Sequence, residues 1–217
     1  NAFAVDLAGS LRASTSALRA ARDAVDGGGA KEVIIAAADA RMAMPGDPAE
    51  RTLGDAAAAM IIGKDNVIAE IMDIYSTTHE YIDVWRRPED KYIQAADAKF
   101  TLDTGYTQFM AQAAKAILEK NNLKPDDIAS VAAYSPDSRV LKSIAKSLKV
   151  APEKCVNLLD SVGDSDAANA LLALVWAIEK AKPDDLILAL NHSSGADAVL
   201  LKVTDNISKW KSRKPID

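Results

Sequence analysis

Few residues in this chain have the chemistry of a nucleophile, a base or a metal ligand. The stretch VDLAGSLRASTSALRAA, residues 5–21, reads as the end of a strand, a sharp turn and the start of a helix. A nucleophile at such a helix start gains from the dipole and the free N–H groups, which lower a thiol pKa. The turn residue is Leu11, between Ser10 and Arg12, and it offers no reactive atom. Ser10 and Ser14 flank it, but a serine nucleophile needs a neighbouring base and no histidine is near. The single cysteine, Cys155, is far away in sequence and reads as a small buried apolar group. One cysteine rules out an intrachain disulfide. Of the two histidines, His79 reads as solvated, and His192, in LNHSSG at a strand end, is a candidate site residue. One cysteine and two scattered histidines do not make a structural zinc site. Asp164 and Asp166, in GDSDAA, either cap the helix that follows or serve a site. That run is neither a phosphate-binding nor a dinucleotide-binding loop.

The elements that must position these residues can be read from hydrophobic spacing. A helix is expected from Arg12, with Leu18, Ala21 and Val25 on one stripe, ending at the triple glycine after Asp26. The stretch AFAVDLA before it reads as a strand. EVIIAAA, residues 32–38, is a short apolar run, as in a strand covered on both faces. AAAAMIIG and NVIAEIMDIYST read as two strands joined as a hairpin by GKDN. A polar, aromatic connection follows over residues 78–104, where Trp85, Arg86 and Arg87 read as an aromatic anchor with solvated arginines; such long connections are often functional. A helix over 106–120 turns Phe109, Met110, Ala113 and Ile117 inward, and IASVAAY is a strand. The next helix carries Val140, Ile144 and Leu148 as its stripe, with Ser135 as N-cap and Pro136 in the first turn. Residues 164–181 form a helix that is apolar all round and therefore central. LILALNH and AVLLKVT are the last strands. KPDD followed by an apolar strand occurs twice, which implies parallel strands joined by right-handed crossovers. The fold class is α/β, divided as 1–77, the 78–104 connection, and 105–217.

With 217 residues, 49% hydrophobic and 26% charged, the chain has the composition of a globular protein. A net charge of −5 without a basic run gives no support to nucleic-acid binding. No apolar run is long enough to span a membrane, no signal peptide is visible, and a cytoplasmic location is expected.

The segments MPGDPAERTLGDAAAAMIIG, DVWRRPEDKY, YTQFMAQAAKAILEK, NLLDSVGDSDAANALLALVWAIEKAKPDD and SSGADAVLL together resemble archaeal-type hydroxymethylglutaryl-CoA synthases. These are members of the thiolase superfamily, near the β-ketoacyl-acyl-carrier-protein synthase III enzymes. The resemblance covers nearly the whole chain and implies a thiolase-like fold: helices packed on mixed, mainly parallel sheets, with the N-terminal part of the fold missing. It places the family's nucleophilic cysteine at Leu11, its histidine at Tyr134 and the synthase III asparagine at Asp164. A leucine cannot be acylated. Tyrosine is a poor base at neutral pH, and an aspartate adds negative charge where an oxyanion needs donors. Ser10, Arg12, Gly163 and Ser165 are the implied substrate-binding positions, with His192 a further candidate. The resemblance implies acyl-CoA as ligand, no cofactor or metal on this chain, and lost condensing activity. It also implies an oligomer with thiolase-type subunits and with a zinc-containing OB-fold acyl-CoA-binding protein.

Overall fold

A computed structural model describes residues 2–210. The first helix, α1 (Ala13–Asp26), buries Ser14, Leu18, Ala21 and Val25, spaced three and four apart so that they share one face. The strands β1 (Glu32–Asp39) and β2 (Ala56–Gly63) pair only with each other, antiparallel, in register from Glu32 opposite Gly63 to Asp39 opposite Ala56. Strand β3 (Ala69–Thr78) joins a second sheet, and the connection after it holds a short ladder of β4 (Val84–Trp85) and β5 (Gln94–Ala95). A helix then runs without a break through α2 (Ala98–Phe100), a π-helical stretch (Thr101–Phe109) and α3 (Met110–Lys120). Next come β6 (Ile128–Ala133), α4 (Ser138–Leu148), α5 (Asn169–Lys180), β7 (Leu186–His192) and β8 (Gly195–Val203).

The second sheet has the order β3-β8-β7-β6. Only β6 and β7, the two strands preceded by KPDD, are parallel; β3–β8 and β7–β8 are antiparallel. The sheet is therefore mixed, and antiparallel pairing predominates in it. The cause is local: β7 turns into β8 through Ser193 and Ser194 alone, too short a link for a crossover.

Four layers result. The β1–β2 sheet lies on α1 and α5, these lie on one face of the four-stranded sheet, and α3 and α4 cover its other face. One core joins Leu18, Ile35, Leu171, Leu174, Ile187 and Leu201; the other joins Met110, Ile117, Ile144, Leu188 and Leu200. Between two sheets α5 has almost no side that meets water, which is why its sequence is apolar all round.

Several expectations need correction. Residues 2–8 contain no strand, and Phe3 and Val5 stand exposed; extended backbone becomes a strand only beside a ladder partner, and no described strand lies there. β1 is covered on one face only: Val33, Ile35 and Ala37 face the helices, whereas Ile34 is 73% exposed and its cross-strand partner Ile61 is 66% exposed. β2 and β3 are not a hairpin, because GKDN carries the chain from one sheet to the other. The helix expected from residue 106 begins at Ala98, capped by Asp97, whose carboxylate accepts the Phe100 N–H at 2.8 Å.

The cap of α4 is also one residue pair later than expected. Asp137, not Ser135, accepts the N–H groups of Arg139 and Val140 at 2.7 and 3.1 Å, and Pro136 precedes the cap. Removing such a cap costs about 1 kcal/mol. Asp137→Ala is expected to lower the unfolding free energy by that amount, read as a lower urea midpoint, whereas Ser135→Ala should not act on α4 in this way.

Candidate functional site

Three peptide segments meet at the α1 start, the end of β6 and the turn before α5. Leu11 sits one residue before the α1 N-cap and is 2% exposed. Its carbonyl accepts the Asn191 side-chain N–H at 3.1 Å, and its side chain joins the same apolar cluster as Tyr106 and Tyr134. Ser10 is spent locally: its hydroxyl accepts the Arg12 N–H at 3.1 Å.

Arg12 is committed to the scaffold. Its Nε and Nη2 donate to the two carboxylate oxygens of Asp197 at 3.0 and 2.6 Å, and Nη1 donates to the carbonyls of Thr77, Ser193 and Ser194. Thr15 also donates to Asp197, at 2.5 Å. The fork geometry of a guanidinium suits this bidentate grip, which fastens the α1 start to β8 and to the end of β3.

Tyr134 follows β6 and is fully buried, and its hydroxyl donates to Asp164 Oδ2 at 3.4 Å. Asp164 is fixed by its backbone: its N–H donates to the Thr52 carbonyl and its carbonyl accepts from Gly54. Its Oδ1 accepts the Asp166 N–H at 3.0 Å. Gly163 supports this turn for a steric reason. It has φ +83°, and a Cβ there would stand 2.7 Å from the Thr52 carbonyl oxygen. Ser165 is buried, with its hydroxyl unpartnered. Neither aspartate stands at the N-cap of α5, which is Ala168; the Asp164 carboxylate serves the short 3-10 turn Asp166–Ala168 that leads into it. Asp166 Oδ1 takes Arg41 Nη1 at 3.2 Å, and Arg41 also holds Asp39 at 3.0 Å.

The electrostatics follow from counting charges. One guanidinium, Arg41, faces the half-buried Asp39, the buried Asp166 and the nearby buried Asp164. Burial pushes the Asp164 carboxyl up to about 6, against opposing hydrogen bonds from Asp166 N–H and Tyr134 and the charge of Arg41. Burial and then the charge of Asp164 push Asp166 up to about 8. Tyr134 and Tyr106 are both held well above the ordinary phenol range, first by burial and then by neighbouring acidic groups.

His192 lies on the far side of Tyr106, with ring centroids 4.5 Å apart, and is fully buried. Its Nδ1 is 3.3 Å from Asp83 Oδ2 but off the line of a good hydrogen bond. Asp83 also accepts the Tyr106 hydroxyl at 3.0 Å and the Val84 N–H at 2.9 Å. Burial opposes ionisation of Asp83, yet its contacts with His192 and these donors leave its carboxyl below the usual range. Gly105, in the π-helical stretch, gives His192 its place: a Cβ there would be 2.8 Å from the imidazole.

Of the expected site residues, Tyr134 and Asp164 touch, Leu11 packs in the same core, and His192 is joined to them through Tyr106. Ser10 and Arg12 serve the scaffold. His79 is not solvated; it stacks on Phe109 at 3.9 Å with the rings nearly parallel, because the connection folds back over the helix. Cys155 is buried as expected, and desolvation raises its thiol to about 11, which leaves it unreactive. Trp85, Arg86 and Arg87 lie on the surface. Sequence reasoning passed over Asp83, Tyr106, Asn191, Arg41 and Asp197, none of which belongs to a recognisable catalytic or ligand pattern. Among the described residues no group of three His, Cys, Asp or Glu is placed to hold a metal ion, and no helix is long and apolar enough to cross a membrane. A cleft of about 650 Å³ opens between α1, β2, β3 and α5, lined by residues such as Leu18, Met60, Ile71 and Trp210, and includes none of the candidate residues.

The fold has counterparts among known proteins. Residues 118–203 match the family described as 3-oxoacyl-[acyl-carrier-protein (ACP)] synthase III C terminal. The hydroxymethylglutaryl-CoA synthase of Methanopyrus kandleri is 30% identical over 98% of this chain, and the match spans 62% of that relative's length. In structure, the 3-oxoacyl-[acyl-carrier-protein] synthase III of Aquifex aeolicus superposes with a TM-score of 0.77 at 23% identity, covering 89% of this chain and 65% of that one. An HMG-CoA synthase crystallised with CoA superposes with a TM-score of 0.78 at 18% identity, covering 93% of this chain and 56% of its own. The chain has a thiolase-like α/β fold, and its residues 118–203 match the 3-oxoacyl-[acyl-carrier-protein (ACP)] synthase III C-terminal family.

Proposed function

We propose that this chain is a thiolase-like subunit of an acyl-CoA complex that forms or cleaves C–C bonds, and that it has given up the covalent acyl-cysteine step. The observation that carries this reading is the buried junction itself. Leu11 fills the α1 start, and Tyr134 and Asp164 spend their polar atoms on each other rather than on an open site. A thioester cannot be attacked there without a nucleophile. The names of the relatives supply the chemical class, and acyl-CoA is the ligand class that follows from it. The chemistry then falls to a partner. The bare apolar face around Ile34 and Ile61 and the unpaired outer edge of β1 support a partner of the same fold. In the same reading a zinc-containing OB-fold protein delivers the acyl-CoA.

The test is intact-protein mass spectrometry of natively purified material, before and after incubation with acetyl-CoA and acetoacetyl-CoA. We expect no mass gain on this chain and a gain on a co-purifying thiolase-type chain. A gain on this chain would overturn the reading.

A second reading is favoured by the contact of Tyr134 with an aspartate whose carboxyl burial raises to about 6. Here the chain is itself an enzyme of acyl transfer or thioester hydrolysis without a covalent intermediate. Loss of turnover in Tyr134→Phe, with the fold intact, would support it over the first.

A further inference from the structure

We infer that the cleft between β2 and β3 is a binding site for a fatty acid, whose hydrocarbon chain lies between the two strands and whose carboxylate is met by Arg22 and Lys64. The cleft exists because the strands do not close on each other. β2 pairs with β1 and β3 pairs with β8, and the second edge of each has no partner among the described residues. GKDN spreads the two strands into different sheets, and α1 and α5 close the gap between them.

The lining suits an alkyl chain. Leu18 and Val25 of α1 and Ile178 of α5 form a floor in which no residue is more than 5% exposed. Met60 and Ile62 of β2 and Ile71 of β3 form half-buried walls. Trp210 also lines the cleft and is 38% exposed. The volume of about 650 Å³ falls within the roughly 300–1,000 Å³ of small-molecule sites. A chain laid against these side chains removes apolar surface of both partners from water, which drives its binding.

The cations are gathered at one end, beside the last turn of α1, and they decide the head group. Arg22 Nε and Lys64 Nζ approach the two oxygens of one carboxylate, Asp26, at 3.4 and 3.6 Å. Two cations therefore share one anion. Both separations exceed the ~2.8 Å of a tight charge-assisted hydrogen bond. The Arg22 and Lys64 side chains are 32% and 58% exposed, so both are free to turn to a second carboxylate. The other acidic lining residue, Glu70, lies on β3, where it stands opposite Lys202 in the β3–β8 ladder. A long apolar tail with a single anionic head complements both the groove and its cationic end. None of Leu11, Tyr134 and Asp164 lines the cleft, so the inference goes beyond the proposed function and stands with either reading of the activity.

The experiment is isothermal titration calorimetry of the full chain with octanoate, decanoate, dodecanoate and decanol, with tryptophan fluorescence followed in parallel. One-site binding of the fatty acids is expected, tightening about threefold to fourfold for each added methylene. The double variant Arg22→Gln, Lys64→Gln changes two partly exposed side chains and should keep the fold. It should weaken decanoate about tenfold or more, the worth of a hydrogen bond to a charged group, and leave decanol unchanged. Trp210→Phe should remove the fluorescence response. Absence of decanoate binding would overturn the inference. So would a double variant that binds decanoate as the wild type does, or that loses decanol equally. A fluorescence response that persists in Trp210→Phe would place the ligand near Trp85 or Trp176 and overturn it as well.

Discussion

Arg12→Ala is expected to cost about 3–5 kcal/mol of stability, the range found when one member of a buried ion pair is removed. The pair is largely shielded: the side chains of Arg12 and Asp197 are 13% and 5% exposed. Removing the guanidinium leaves Asp197 with Thr15 as its side-chain donor and strips Nη1 from the carbonyls of Thr77, Ser193 and Ser194. Chemical denaturation of Arg12→Ala, Asp197→Ala and the double variant forms a thermodynamic cycle. Because the two residues share one interaction, the double variant should lose at least about 1 kcal/mol less than the two singles summed. Arg12→Lys should recover only part of the loss, since an ammonium cannot make the paired contact. A cost near zero for Arg12→Ala would show that the guanidinium is free for a ligand, as the family resemblance implied.

The second large effect is on pH. The folded-state carboxyls of Asp166 and Asp164 are raised, to about 8 and about 6, above the ordinary value of 3.8. A group that holds its proton more tightly when folded stabilises the fold fully below its unfolded pKa, and that stability is lost as pH rises through the folded pKa. Stability should therefore decline between about pH 4 and 8, at up to about 1.4 kcal/mol per pH unit for each group. Arg41 limits the decline, because it compensates part of the charge that appears on Asp166. Calorimetry at pH 5 and pH 8.5 is expected to show a lower Tm at the higher value. Asp166→Asn, which is permanently neutral, should flatten this slope. An unchanged slope in that variant would assign the pH dependence to other groups. Asp83 works in the opposite sense, but only in acid, since its folded pKa lies below the usual value.

The parts of this fold legible from spacing were those built on repetition. α1 and α4 carry a helical period, α5 and the strands outside the connection are marked by apolar runs, and the parallel β6–β7 pair carries the repeated KPDD entry. What could not be read is pairing between distant segments. Whether β2 turns back on β3 depends on which edge each finds, and GKDN looks the same whether it closes a hairpin or crosses between sheets. The site divided along the same line. Tyr134 and Asp164 were found because a resemblance aligned them with functional positions, and Leu11 because a turn drew attention to it. Asp83 and Arg41 carry no such mark, and their roles exist only through burial beside other charges. His79 shows the limit most plainly: its polar neighbourhood in sequence gave no sign that Phe109 would stack on it.

The π-helical stretch has a consequence for angular phase. An α-helix advances about 100° per residue, so a stretch wound with i→i+5 bonds offsets everything after it relative to an unbroken α-helix. Here the offset lies between two demands on one continuous rod. Upstream, Gly105 and Tyr106 must face His192 and Asp83; downstream, Ala113 and Ile117 must face the four-stranded sheet. The wide turn reconciles the two azimuths. Shortening the stretch between 101 and 109 and rewinding it as plain α-helix would change the azimuth of the upstream side chains relative to α3. Tyr106 would leave Asp83 while α3 kept its seat, so the polar cluster would come apart within a helix that remained whole.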